Sequence, residues 1–274
     1  MTEKTAVVTG GASGIGFALA QQLGTRGYSV VLADRNVDEL EAAEAELRGA
    51  GVAVASIECD VRHPESMLQV AGAVTSEHGP VDVLCANAGV SGPPVGLVWS
   101  THAEDWPRVY AVNVFGVVNT LSAFLPGMIA EARGQVLVTG SITGLVTMQV
   151  NAPIYVSSKH AVFSVVDSVR EQLEVTGSPV KIQFLAPGGV ATRIMEHEAA
   201  AVAELGGRDT ASEPPVVLQS ARPTPSTPPE RFEPHQVAAI AVAALDGDEF
   251  IIYTHSGSRD LVRQSLTSIS ASLE

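Results

Sequence analysis

The chain has 274 residues, 46% hydrophobic and 17% charged, which is enough apolar material for one large α/β domain spanning 1–274. A formal net charge of −14 disfavours a nucleic-acid partner, so any anionic ligand must be held by local geometry. The longest purely apolar run, Val237 to Leu245, is far short of the ~20 residues of a membrane helix, and "MTEKTAVVTGG" leaves no room for a signal peptide; a soluble, cytoplasmic protein without a membrane partner is expected.

In chain order, the first expected strand is "TAVVTG" (5–10). It runs into "TGGASGIG", where Gly10, Gly14 and Gly16 are spaced G-x-x-x-G-x-G ahead of a helix over Ile15–Arg26. Glycines let backbone approach a pyrophosphate, and the helix N-terminus supplies free N–H groups and the positive end of a dipole. The second strand, "YSVVLAD" (28–34), ends on Asp34, eighteen residues after Gly16, where a carboxylate can accept from adenosine ribose hydroxyls. Arg35 beside it could instead pair with a 2′-phosphate. The carboxylate is expected to outweigh it, which favours NAD over NADP.

A helix over Val37–Gly49 follows, with Leu40, Ala43, Glu44 and Leu47 at helical spacing. Further strands are expected at 52–60, 81–89, 134–141, 180–188 and 249–254, giving seven in all. They are Val-rich and continuously apolar, the mark of strands covered on both faces, and their alternation with helices predicts a parallel, doubly wound sheet. Cys59 and Cys85 each end such a run and are expected as buried free thiols. The seven histidines show no metal-ligand spacing, and "EHE" at 196–198 is read as surface. Long helices over Trp106–Glu131 and Ile154–Thr176 flank the expected site.

One region breaks the rhythm. Seven of the sixteen prolines lie between 214 and 234. Residues 193–234 are either a disordered insertion or a mobile flap over the substrate, whose helical start carries Ile194, Met195, Ala199, Val202 and Leu205. At the C-terminus, Val262, Leu266, Ile269 and Leu273 form an apolar stripe expected to pack within the subunit or on a neighbour.

"TGGASGIG", "NAG" at 87–89, Asn113 in "VNVFGV", "GS" at 140–141, "YVSSK" at 155–159 and "PGGVAT" at 187–192 stand in the order and approximate spacing of the short-chain dehydrogenase/reductase family, which the chain resembles over about residues 5–193. The resemblance implies a Rossmann-type, doubly wound fold with a seven-stranded parallel sheet, assembled as a homodimer or homotetramer through the helices over Trp106–Glu131 and Ile154–Thr176, with Val109, Val117, Leu121 and Phe163 partly interfacial. It implies Tyr155 as catalytic acid/base, Lys159 as its partner, Ser141 on the reacting oxygen and Asn113 anchoring a water chain. For the dinucleotide it implies Gly10, Ser13, Gly14, Ile15 and Gly16 at the phosphates, Asp60 and Val61 at adenine, and Asn87, Ala88 and Gly89 along the ribose. Tyr155 and Lys159 stand near the nicotinamide, with Pro187, Gly188, Val190 and Thr192 at its carboxamide. Ala86 replaces an asparagine common in the family, and the Ser141–Tyr155 separation is one residue longer than in many members.

Physically, a free phenol with a pKa near ~10 is a poor base at neutral pH, and a nearby ammonium together with the oxidised nicotinamide would lower that value. Lys159 lies one helical turn from Tyr155, on the same face. The expected activity is hydride transfer between NAD(H) and a secondary alcohol or ketone, with an NADP(H)-dependent carbonyl reductase or a non-catalytic dinucleotide sensor as alternatives. The substrate-pocket candidates Val90–Gly96, Leu145–Val150, Tyr155, Ile194 and Met195 are mostly apolar, which suggests a hydrophobic substrate.

Overall fold

The computed structural model describes residues 4–93, 96–147, 151–197 and 230–270. The proline-rich stretch and the body of the expected flap lie outside the described residues, as do 94–95, 148–150 and Leu273.

Seven strands form one parallel sheet in the order β3-β2-β1-β4-β5-β6-β7. They are β1 (Lys4–Thr9), β2 (Tyr28–Asp34), β3 (Val54–Glu58), β4 (Val81–Ala86), β5 (Gln135–Thr139), β6 (Lys181–Ala186) and β7 (Ile251–Tyr253). All seven expected strands are present, each shorter at its carboxyl end than its apolar run, except β2. The lost residues, such as Gly10, Asn87, Ala88 and Ser141, turn out of the sheet and line a cleft.

The helices are α1 (Gly14–Thr25), α2 (Val37–Gly49), α3 (Pro64–His78), α4 (Asp105–Tyr110), α5 (Gly116–Ala130), α6 (Pro153–Val175), α7 (Pro234–Ala244) and α8 (Ser258–Ser270). Successive strand residues feed opposite layers, because side chains alternate across a pleated sheet. Val7, Val31, Leu84 and Val136 share a core with Met67, Leu121, Phe124 and Val162 of α3, α5 and α6. Ala6, Val8, Leu32 and Cys85 share the other with Leu19, Leu23, Leu40 and Val237 of α1, α2 and α7. Covering both faces is what makes the strands continuously apolar.

The expected helix over Trp106–Glu131 is present but interrupted. A π-helical turn, Ala111–Phe115, joins α4 to α5 and carries Asn113, in keeping with the habit of such bulges of sitting at functional positions. The segment Asp105–Ala130 is long and apolar enough to cross a membrane, yet half of its most apolar window is buried inside the chain.

One packing expectation is corrected. Val109, Val117 and Leu121 were expected to be partly interfacial, but each is buried within this chain and has little area left for a neighbour. Phe163 is partly buried and meets Phe184 edge-on at 5.2 Å. On α8, Leu266 is 60% exposed, so the terminal stripe is not packed there within the subunit. Cys59 and Cys85 are buried free thiols, as expected. Burial pushes the Cys85 thiol up to about 12.

Candidate active site

Chain order reverses between β1 and β4, the switch point at which ligands of open parallel sheets bind beyond the strands' carboxyl ends. A cleft of about 370 Å³ opens there.

At the turn between β1 and α1, Gly10 and Gly14 adopt φ of +64° and +54°, in the left-handed region that favours glycine. A Cβ on Gly10 would sit 2.8 Å from the Ala88 Cα, and one on Gly16 would sit 2.0 Å from the Gly10 carbonyl oxygen. Gly16 therefore does not line the cleft; it lets α1 pack tightly on the turn. Ser13 faces the cleft and makes no capping bond to α1. Asn87 braces the same turn, donating from Nδ2 to the Thr9 and Gly10 carbonyls at 3.1 and 3.3 Å and accepting from Thr139 Oγ1 at 2.9 Å.

At the end of β2, the Asp34 carboxylate accepts from the backbone N–H groups of Ala12 and Asn36, both at 3.2 Å. The first of those bonds ties it to the glycine turn after β1. Arg35 is exposed beside it and also lines the cleft. Burial raises the pKa of Asp60, but bonds from Arg62 prevail and hold its carboxyl below the usual range. Asp60 thus enters the site already paired to Arg62, at 2.5 Å, with Val61 next to it in the wall.

At the other end, Ser141, Tyr155 and Lys159 line the same cleft. Lys159 is only 4% exposed. Its Nζ donates to the Thr139 carbonyl at 3.2 Å and lies 5.7 Å from the centre of the Tyr155 ring. Burial lowers the Lys159 pKa to about 8, while burial raises that of Tyr155 and a hydrogen bond with Ser141 opposes the rise. Burial prevails over that bond, and the lowering expected from the ammonium together with the oxidised nicotinamide concerns the cofactor-bound state.

Asn113 is fully buried and does not line the cleft. Its Oδ1 accepts from Val90 N at 2.8 Å, and its Nδ2 donates to Val90 O at 3.0 Å and to Ser158 Oγ at 2.9 Å. Ser158 in turn donates to the Tyr155 carbonyl at 2.7 Å. The π-turn therefore ties the loop after β4 to the Tyr–Lys turn of α6.

The model of the short chain dehydrogenase family matches residues 4–203. The chain belongs to that family. A 1-deoxy-11-beta-hydroxypentalenate dehydrogenase of Streptomyces exfoliatus is 29% identical over 266 residues, covering 97% of this chain and 88% of that one. Its namesake from Streptomyces avermitilis is 36% identical over 188 residues, 69% of each chain. Among solved structures, a short-chain dehydrogenase/reductase from Burkholderia phymatum in complex with NAD superposes with a TM-score of 0.83 at 29% identity, covering 98% of this chain and 95% of that one. A metagenomic short-chain oxidoreductase in complex with NADP gives 0.69 at 30% identity, covering 91% and 95%. Membership makes this short-chain dehydrogenase an oxidoreductase of the alcohol/ketone type with a nicotinamide dinucleotide as cofactor class.

All the sequence-predicted binding residues of this short-chain dehydrogenase line one cleft except Gly16: Gly10, Ser13, Gly14, Ile15, Asp34, Arg35, Asp60, Val61, Asn87, Ala88, Gly89, Tyr155, Lys159, Pro187, Gly188, Val190 and Thr192. Sequence reasoning missed Glu39, Val112, Thr139, Arg193 and His197, which line it too. Arg193 meets Glu39 at 3.1 Å, and His197, read as surface within "EHE", stands 3.3 Å from the same carboxylate. No local pattern marks a pair formed between α2 and a segment more than 150 residues further on. Of the substrate-pocket candidates, Val90, Tyr155 and Ile194 line the cleft. Val146 is instead buried, Leu145 packs on the core and Met195 is exposed.

Proposed function

We propose that this protein is an NAD(H)-dependent dehydrogenase/ketoreductase of hydrophobic secondary alcohols or ketones. One observation carries the reading: Ser141, Tyr155 and Lys159 converge at the opposite end of a cleft whose other end holds a glycine turn and the Asp34 carboxylate. The residues present fit a dinucleotide. Gly10, Ser13 and Gly14 with the α1 N-terminus would hold the phosphates, Asp34 the adenosine ribose, and Pro187, Gly188, Val190 and Thr192 the nicotinamide end. When bound, the cofactor supplies or accepts the hydride.

The chain's own residues handle the proton and the oxygen. Ser141 donates to the substrate oxygen and stabilises its developing negative charge. Tyr155 Oη exchanges the hydroxyl proton with the substrate, and the ammonium of Lys159 favours the phenolate state during alcohol oxidation. Asn113 acts as a positioning residue through Ser158 and Val90. Val90, Val112 and Ile194 present apolar surface to the cleft, which supports a hydrophobic substrate, as does the hydroxypentalenate in the relatives' names.

A panel of steroid, terpenoid, aromatic and short aliphatic alcohols with NAD⁺, followed at the nicotinamide absorbance, tests the activity. Tyr155→Phe should lower kcat by roughly 10²–10⁴-fold while leaving cofactor affinity near normal. Wild-type rates in that variant would remove Tyr155 from the mechanism. A second reading, an NADP(H)-dependent carbonyl reductase, draws on Arg35 at the rim and on the NADP-bound relative. Assembly as a homodimer or homotetramer is supported by Phe115, 57% exposed between α4 and α5, and light scattering that gave only 28.4 kDa at micromolar concentration would refute it.

A further inference from the structure

The segment Pro187–Gly189 follows β6 and contains two glycines, whose backbones would otherwise sample many conformations. Three consecutive residues are nevertheless fixed. The Pro187 carbonyl accepts from Ile142 N at 2.9 Å, next to Ser141. Gly188 N donates to His255 Nδ1 at 3.2 Å, and the Gly189 carbonyl lies 3.0 Å from His255 Nε2. Because a backbone N–H can only donate, Nδ1 of His255 is an acceptor, and it also receives the Thr254 hydroxyl at 2.7 Å. The ring hydrogen is therefore on Nε2, directed at the Gly189 carbonyl. Both nitrogens of one imidazole are spent on two successive peptide groups.

The ring is held from its other side as well. It stacks on Phe232, with centroids 4.1 Å apart and planes 26° apart. Phe232 N donates to the same Gly189 carbonyl at 3.0 Å, and Ala191 N donates back to the Phe232 carbonyl at 2.9 Å. A Cβ on Gly188 would stand 3.0 Å from the imidazole, tighter than ordinary contact, so a side chain there would press on the ring. His255 itself follows β7 and does not line the cleft.

We propose that His255 is a positioning residue for nicotinamide recognition: its imidazole sets the Gly188–Gly189 backbone in the conformation that receives the nicotinamide end of the dinucleotide. The inference rests on the dinucleotide reading of the cleft. Preorganising two glycines removes an ordering cost that would otherwise be met on binding. The effect should fall on one half of the cofactor, because among the described residues the hydrogen bonds of His255 go to Gly188, Gly189 and Thr254.

That confinement supplies the test. Titration calorimetry would compare NAD⁺ with ADP-ribose, which keeps the adenosine and pyrophosphate but lacks nicotinamide, on wild type and on His255→Phe. Phenylalanine keeps a ring to stack on Phe232 and loses both bonds. NAD⁺ affinity should fall roughly tenfold, or 1.4 kcal/mol, with ADP-ribose affinity within about twofold of wild type. His255→Gln, which restores a donor and an acceptor, should recover part of the loss. Equal weakening of both ligands, or no change in either, overturns the inference. If His255→Phe does not fold, His255→Asn takes its place: a selective loss of NAD⁺ of about threefold or more supports the role, and an unselective one sinks it. Failure of the unmodified protein to bind either ligand would instead remove the dinucleotide reading, and this inference with it.

Discussion

Replacing Lys159 by Met should stabilise the cofactor-free protein while ending its catalysis. The ammonium is buried near Gly89 and Asn113, and among the described residues it donates to the Thr139 carbonyl. Burial moves its pKa from an ordinary 10.5 to about 8. The sign follows from linkage: a base with a depressed folded-state pKa costs its full penalty below about 8. Between about 8 and 10.5 the unfolded chain binds more protons, so wild-type stability climbs with pH. At 1.36 kcal/mol per pH unit, that gap opposes folding by roughly 3 kcal/mol at pH 7. Methionine keeps an unbranched side chain of similar length and removes the charge, but it leaves the Thr139 carbonyl without this donor, at about 1 kcal/mol. The net gain should be on the order of 2 kcal/mol at pH 7 and should reverse to a small loss above pH 10.5. Urea midpoints of both proteins without cofactor, measured from pH 7 to pH 10.5, read this directly. A variant less stable than wild type at pH 7, or a difference that did not change with pH, would show that the lysine is not held against its own solvation.

Asp34→Ala should narrow the preference for NAD⁺ over NADP⁺ by roughly a hundredfold, since a close like-charge contact is worth a few kcal/mol; equal kcat/KM for both cofactors in the unmodified protein would refute the argument. The ratio is the proper readout, because the Ala12 and Asn36 amides also lose their acceptor. Gly16→Ala places a methyl 2.0 Å from the Gly10 oxygen and 2.6 Å from Asn87 Nδ2, so it should destabilise the fold by about 1–3 kcal/mol and weaken cofactor binding. A thermal midpoint equal to wild type would mean that the turn and α1 separate more easily than their packing implies.

The sequence alone determined the parts whose information is local. The alternation of apolar runs with helical patterns gave all seven strands, because strands covered on both faces need no polar partner face. The positions of the glycines, Asp34, Ser141 and the Tyr–Lys turn were readable because each is set by a short motif at the end of a predicted element. The tertiary structure decided whatever depends on which distant segments meet. Val109, Val117 and Leu121 proved to be core, since helical periodicity reveals an apolar face without revealing what covers it. Burial raises the phenol of Tyr155, a contribution no sequence spacing reports, because burial acts on a group only after the fold has closed around it. His255 carries no motif, and its contacts with Gly188, Gly189 and Phe232 reach residues far from it in the chain. Only the placement of β7 beside β6 brings that imidazole to the two glycines, and hydrogen bonds between remote segments leave no periodic signal in a sequence.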